Sequence, residues 1–300
     1  MTGSVGEFER HRPRLRGLAY RMLGSVADAD EVLQDAYLRW HGTDETVIRE
    51  PLAWLTTVVS RLCIDRLRAV KAERDAYVGP WLPEPWLDDP PPSVTRPDAR
   101  QDQADDLSVA FLLLLERLSP DERAAFLLRD VFEIGYPEIA VTLNLSEAAC
   151  RQMVHRARER VRAGKPRVAS SDAERQALLA RFMEAVTARD EQRVLDLLSP
   201  DATLISDGGG KDWAALKPIR GASKIARLFV SVAGKFVDTP SQRILTINGA
   251  SALVTWVGAE TYATTSIDVV DGRIVALYQM MNPDKLVGIS ATNSSESKNL

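Results

Sequence analysis

Two groups of side chains have the types and spacing to do chemistry. The first lies beyond Ser171, where Asp207 and Lys211 bracket the glycine run "DGGGK", with Trp213, Trp256 and Tyr262 on nearby segments. A buried aspartate whose pKa is raised serves as a general base, and a lysine and aromatic rings would orient a small substrate around it. That set contains no histidine, because His11, His41 and His155 all precede it, and those three have no metal-ligand spacing either. Aromatic residues on strands are, moreover, more often core than substrate platform. The second group is cationic. Residues 146–168 carry seven basic side chains against Glu147 and Glu159, in a chain whose formal net charge is −4. Such segregation is invisible in the total, and a locally cationic helix is suited to phosphate and base edges.

The elements that must position these cations are helical. "YPEIAVTLNLSEAACRQMVHRARERVR" reads as a short helix from Pro137, a turn at Asn144 and a longer helix capped by Ser146. On the longer helix Cys150, Met153, Val154, Ala157 and Val161 share one arc. This helix-turn-helix pattern puts Arg151, Gln152 and His155 where base edges are read, and Arg156, Arg158 and Arg162 where phosphates are held. A solvated charged face remains the alternative. Upstream, "SPDERAAFLLRD" opens with a capping box, Ser119 and Glu122, and a proline in the first turn.

A second helical block precedes this one. "SVADADEVLQDAYLRW" has Ser25 as its cap, apolar residues recurring at three and four, and Asp28, Asp30, Glu31, Gln34 and Asp35 around the other side. "PLAWLTTVVSRLCIDRLRAVK" turns Leu55, Val59 and Cys63 inward and leaves Arg61, Arg66, Arg68 and Lys71 outside. Cys63 and Cys150 stand far apart inside helical patterns, as reduced core thiols do.

Between the blocks, residues 77–106 hold seven acids and two arginines, and seven of the sixteen prolines fall between Pro80 and Pro97. Proline keeps such a tether extended. Reach alone does not require Trp81 and Trp86, which have the character of docking anchors. We expect Trp81, Leu82 and Pro83 of "WLPEP" to be clamped by the C-terminal domain near Asp207 and Lys211. That domain begins with a capped helix at Ser171 and ends in two hairpins with "NG" and "DG" turns, which predicts an α+β cone with a curved antiparallel sheet and an interior pocket.

"DADEVLQDAYLRW", "PLAWLTTVVSRLCIDRLR" and "LSPDERAAFLLRDVFEIGYPEIAVTLNLSEAACRQMVHRARERVR" together resemble an RNA polymerase sigma factor of the extracytoplasmic-function type, over about residues 8–165. "DGGGK", "NPDKL" and the tryptophan-proline linker are similar to the subgroup with a C-terminal SnoaL-like domain. The resemblance implies that Asp30, Glu31, Gln34 and Asp35 dock on core polymerase. It also implies that the loop 41–50 holds a flipped base of the −10 element, with Arg61, Arg66 and Arg68 lining that DNA. Relatives often have asparagine where Arg61 stands. The −35 element would fall to Arg151, Gln152, His155, Arg156, Arg158 and Arg162, and the linker would thread the polymerase cleft.

The expected architecture is therefore multi-domain: an all-α domain at 1–76, the linker at 77–106, an all-α helix-turn-helix domain at 107–168, the α+β SnoaL-like cone at 171–290 and a disordered tail at 291–300. The expected function is promoter recognition and transcription initiation with core RNA polymerase, one copy per initiation complex, regulated in cis by the cone and without chemistry of its own. No cofactor or metal is expected, and the cone pocket is suited to a small apolar ligand. A ligand-responsive helix-turn-helix regulator and an enzyme fused to a DNA-binding anchor are the competing readings. The chain has no apolar run of bilayer length and no apolar core to its N-terminus, so a cytoplasmic location without membrane partners is expected.

Overall fold

The structure is a computed structural model that describes residues 4–44, 48–87, 107–164, 170–211, 213–236 and 240–289. The expected tail at 291–300, the acidic part of the linker at 88–106 and positions 45–47 of the 41–50 loop lie outside the described residues. The chain divides into two compact units, Met1–Asp75 with Pro90–Lys165, and Ala76–Asp89 with Pro166–Leu300.

The first unit joins both helical blocks. Helices α1 (Ser4–Leu23), α2 (Val26–His41) and α3 (Pro51–Ala69) pack around Leu15, Leu18, Leu33, Val59 and Cys63, all shielded from solvent, and a short α4 (Lys71–Asp75) follows. The Ser25 hydroxyl accepts the Asp28 amide and starts α2, as its cap position requires. The second block comprises α5 (Val109–Leu115), α6 (Pro120–Phe126), a π-helical turn at Leu127–Val131, α7 (Tyr136–Leu143) and α8 (Glu147–Arg162). Both halves of the Ser119–Glu122 capping box form. Asn144 ends α7 in the left-handed region at φ 55°, which asparagine tolerates, and Ser146 caps α8.

These blocks, expected as separate domains, are pinned together by charge. Glu116 bonds Arg74 at 2.6 Å and Arg123 at 2.8 Å, while Arg123 also donates to the Met22 carbonyl at 2.6 Å. Burial alone would raise the Glu116 pKa, but the Arg123 and Arg74 guanidiniums outweigh it and hold the carboxyl below the ordinary range.

In the second unit, helices α9 (Asp172–Thr187), α10 (Glu191–Leu197) and α11 (Ala222–Ala233) pack on a six-stranded sheet. Its strands are β1 (Leu198–Asp207), β2 (Ile219–Arg220), β3 (Ser241–Ile247), β4 (Ala250–Val257), β5 (Glu260–Val270) and β6 (Arg273–Met280), in the order β2-β1-β6-β5-β4-β3. Leu178, Phe182, Ile225, Leu253, Ile267 and Leu277 form the core beneath the helices. The two expected hairpins turn through two residues of positive φ, Asn248–Gly249 and Asp271–Gly272, the geometry that their side chains favour, and a third joins β4 to β5 through Gly258 and Ala259. The expectation of a fully antiparallel sheet is corrected at one pairing: β1 runs parallel to β6, Leu204 opposite Leu277 and Asp207 opposite Met280. Parallel neighbours need a long crossover, which the chain between them supplies. A short helix α12 (Pro283–Leu286), capped by Asn282, follows β6. Among the described residues no helix is long and apolar enough to cross a membrane.

Candidate nucleic-acid interface and linker cradle

Cys150, Val154, Ala157 and Val161 bury one side of α8, which turns Arg151, Gln152, His155, Arg156 and Arg162 to solvent. Arg151 bonds Glu147 at 2.8 Å and stacks over the Tyr136 ring at 4.5 Å, so it is poised near the start of the helix rather than adrift. Arg158 is the exception. Two bonds to Asp130, of 2.7 and 2.5 Å, hold it against the preceding helical turn.

The cations of α3 are less available than their helical positions predict. Arg66 is held by Asp28 at 2.6 Å and Glu31 at 3.2 Å, and Arg68 by Asp121 at 2.9 Å. Arg61 donates to the carbonyls of Thr142 and Val141, at 2.9 and 2.7 Å, where α7 ends. The three side chains lie largely on the outside, and each is engaged there by a tertiary partner that periodicity cannot locate. A cleft of about 460 Å³ separates α3 from α7, with Glu50, Trp54, Thr57 and Arg61 on one wall and Glu138, Val141 and Thr142 on the other. On α2, Glu31, Gln34 and Asp35 are exposed beside an exposed Leu38, whereas Asp30 is bound by Arg16 at 2.6 and 2.9 Å.

In the second unit, residues 76–87 of the linker are laid into a cradle. The Leu82 amide donates to Asp207 Oδ2 at 2.8 Å, and Lys285 Nζ bridges that same oxygen at 2.8 Å to the Leu82 carbonyl at 2.7 Å. Tyr77 donates its hydroxyl to Asp207 Oδ1 at 2.6 Å and accepts from Asn282 Nδ2 at 2.8 Å. Burial first, and then the bond to Asp207, pushes the Tyr77 phenol up. Lys285 also sits over the Trp81 ring at 4.3 Å. Four residues on, the Trp86 amide donates to Asn248 Oδ1 and its carbonyl accepts the Asn248 amide, a two-bond pairing like that of a strand edge. Leu82, Pro83 and Trp86 are buried and Trp81 is half-buried.

The glycine run is required by this approach. Gly209 has φ +59°, and a Cβ there would stand 2.4 Å from the Asn282 side chain; one at Gly210, φ +73°, would press on Val78 of the linker. Lys211 bonds Asp284, not the linker. Asp207 is wholly buried, both its oxygens are engaged by the linker and its neighbours, and it lines neither of the two cavities described in this unit, so it is placed as a structural carboxylate of the cradle. Trp213 is 95 % exposed and Trp256 is buried.

Tyr77, Asn248, Asn282 and Lys285 complete the cradle, and the sequence gives little reason to single them out. The signal available is local: "NPDKL" places a capping asparagine and a proline directly after a strand. Among the described residues no group of three His, Cys, Asp or Glu side chains could hold a metal ion. Burial raises the Cys63 and Cys150 thiols, as befits core residues.

Comparison with known proteins gives two family matches, Sigma-70 region 2 over residues 8–73 and Sigma-70 region 4 over residues 108–161. The chain is 40 % identical over 298 residues to the ECF RNA polymerase sigma factor SigJ of Mycobacterium tuberculosis, covering 95 % of this chain and 93 % of that one. It is 27 % identical to the probable ECF sigma factor SigI of the same species, covering 92 % of each. The crystal structure of M. tuberculosis SigJ superposes with a TM-score of 0.74 at 37 % identity, covering 95 % of this chain and 98 % of that one.

Proposed function

The chain belongs to the extracytoplasmic-function RNA polymerase sigma factors, and from that premise we propose how its two units divide the work. As an alternative sigma factor, and not an enzyme, it confers promoter choice on core polymerase. The exposed Glu31, Gln34 and Asp35 of α2, with Asp30 beside them, dock on the polymerase. Arg61, Arg66 and Arg68 line the melting −10 DNA once their internal partners release them. Arg151, Gln152 and His155 read the −35 element, while Arg156 and Arg162, and Arg158 once Asp130 releases it, hold its phosphates. One copy of the chain serves one initiation complex.

The observation that carries this reading is the capped α8, whose apolar arc is buried and whose cationic arc faces solvent with Arg151, Gln152, His155 and Arg156 exposed. A solvated face would not need a preceding short helix and tight turn to present it. Capture of core polymerase followed by runoff transcription from a −10/−35 promoter tests the assignment. Initiation at a defined start supports it, and binding to duplex DNA without initiation would favour a conventional helix-turn-helix regulator.

The second unit regulates in cis. Its grip on residues 77–86 shortens the free tether between the two DNA readers and so biases their separation. The cone over β3–β6 also holds a small apolar ligand, since Phe182, Val186, Phe229 and Val232 wall a cavity of about 210 Å³.

A further inference from the structure

The walls of the cone cavity and its floor differ in chemistry. Phe182 meets Phe229 edge to face at 5.0 Å and Phe236 meets Tyr262 at 5.2 Å, which makes the walls aromatic. The floor is the inner face of the sheet, where Gln242, Thr255, Thr265 and Gln279 lie on four successive strands. Gln242 Nε2 satisfies the Thr255 hydroxyl at 3.2 Å. Thr265 and Gln279, cross-strand neighbours, have no side-chain hydrogen bond among the described residues, and Thr265 is only 2 % exposed. Neither polar group belongs to the buried side-chain atoms that lack a partner, so both open onto the cavity, where a bound polar group can take the place of water. A second cavity of about 240 Å³ shares Phe229, Val232, Tyr262 and Gln279 with the first, so the carboxamide stands where the two meet.

We propose that Thr265 and Gln279 are the polar anchor of a binding site for a small uncharged molecule, a single ring or short chain bearing one hydroxyl or carbonyl group. This rests on the reading above that the cone holds an apolar ligand, and it names the ligand's class and its contacts. Size sets the first bound: an apolar cavity of roughly 150 Å³ accommodates benzene, so this one takes a substituted ring and not a polycycle. Charge sets the second. Among the described residues lining either cavity Arg189 is the one charged side chain, and it is exposed at the rim, so an ion on the floor would meet no counter-charge. The site also lies close to the cradle. Gln279 precedes Met280 and Met281, and the Met281 amide donates to the Asp207 carbonyl. On the adjacent strand, Ser206 lies opposite Gln279 and is followed by Asp207, which holds the linker.

Titration calorimetry of the full chain with three probes of one shape, p-cresol, toluene and p-toluate, tests the assignment. We expect p-cresol to bind about three- to tenfold more tightly than toluene, the worth of one or two net hydrogen bonds, and p-toluate least of all. Thr265→Val, which keeps the shape and removes the hydroxyl, should bring p-cresol down towards toluene and leave toluene unchanged. Equal binding of p-cresol and toluene by the wild-type chain overturns the polar anchor while leaving the apolar-ligand reading intact. Tightest binding of p-toluate overturns the uncharged class and makes Arg189 the anchor. Binding of none of the three removes both the anchor and the apolar-ligand reading. Runoff transcription without any probe checks the sigma function independently of all these outcomes.

Discussion

The Arg61 guanidinium donates through Nε to the Thr142 carbonyl at 2.9 Å, joining the helix expected to face melted DNA to the first helix of the helix-turn-helix. A cation at the end of α7 also complements that helix's dipole, and the Thr57 and Thr142 hydroxyls meet alongside at 3.1 Å. The first unit is thus closed on itself, with α3 supplying one wall of the cleft and α7 the other.

Arg61→Ala should loosen that closure. Partly exposed charge-assisted bonds of this kind contribute about 1 kcal/mol, a factor of roughly five in local opening. Hydrogen exchange at Tyr136–Leu143 should quicken by about that factor, with α9–α11 unchanged. Unaltered exchange in α7 would mean that apolar packing alone holds the two blocks together.

The cradle predicts a larger effect. Lys285→Met strands the wholly buried Asp207 carboxylate, and breaking such a pair from one side costs about 3–5 kcal/mol. Residues 76–87 should become cleavable by protease, and the denaturation midpoint of the second unit should fall. Asp207→Asn combined with Lys285→Met removes both charges and should recover part of the loss. Trp81→Ala with Leu82→Ala should alter promoter output while leaving the polymerase affinity of the isolated helical modules unchanged.

Acid should weaken the first unit in a defined direction. Glu116 is depressed in the folded chain, so its contribution is fully present above the ordinary carboxylate pKa and is lost as pH falls through the lower folded value. Glu122 behaves alike: burial opposes, but its bonds to Ser119 and Arg160 prevail. Melting temperature should therefore fall steeply below about pH 4, and Glu116→Gln should flatten that fall. An identical acid limb in the variant would assign it to other carboxylates.

Base readers and phosphate holders on α8 should separate by salt. Arg162→Ala should weaken all promoters alike and reduce the slope of log affinity against log salt by roughly one. Arg151→Ala or Gln152→Ala should cost about 1–3 kcal/mol at one −35 position and relax the preference there. Uniform loss from every one of these variants would leave the helix as a non-specific clamp.

Local rules made the helices legible. Ser25, Ser119, Ser146 and Ser171 each accept the backbone amide three residues on, as their spacing requires. The β3–β4 and β5–β6 hairpins were readable because positive φ at both turn residues favours Asn-Gly or Asp-Gly, whereas the β4–β5 turn at Gly258–Ala259 carries no such pair. The tryptophans pointed to a docked linker because buried anchors are the economical use of large side chains among prolines. Tertiary pairing was not readable. Parallel β1 and β6 lie far apart in the chain, and nothing in either strand encodes which neighbour it takes. Arg66 and Arg68 look free on a helical wheel, whereas Asp28 and Asp121, which hold them, come from other helices. Lys285 and Asn248 reach the linker across more than 160 residues, beyond any local pattern.

The central claim is that two helical readers on one tethered chain engage one promoter together. Runoff transcription with core polymerase on a series of templates that differ only in the distance from −35 to −10 measures this directly. The account predicts initiation confined to a window of a few base pairs, which widens when Lys285→Met frees the cradled linker. Equal initiation at every spacing, or none at any, would contradict it.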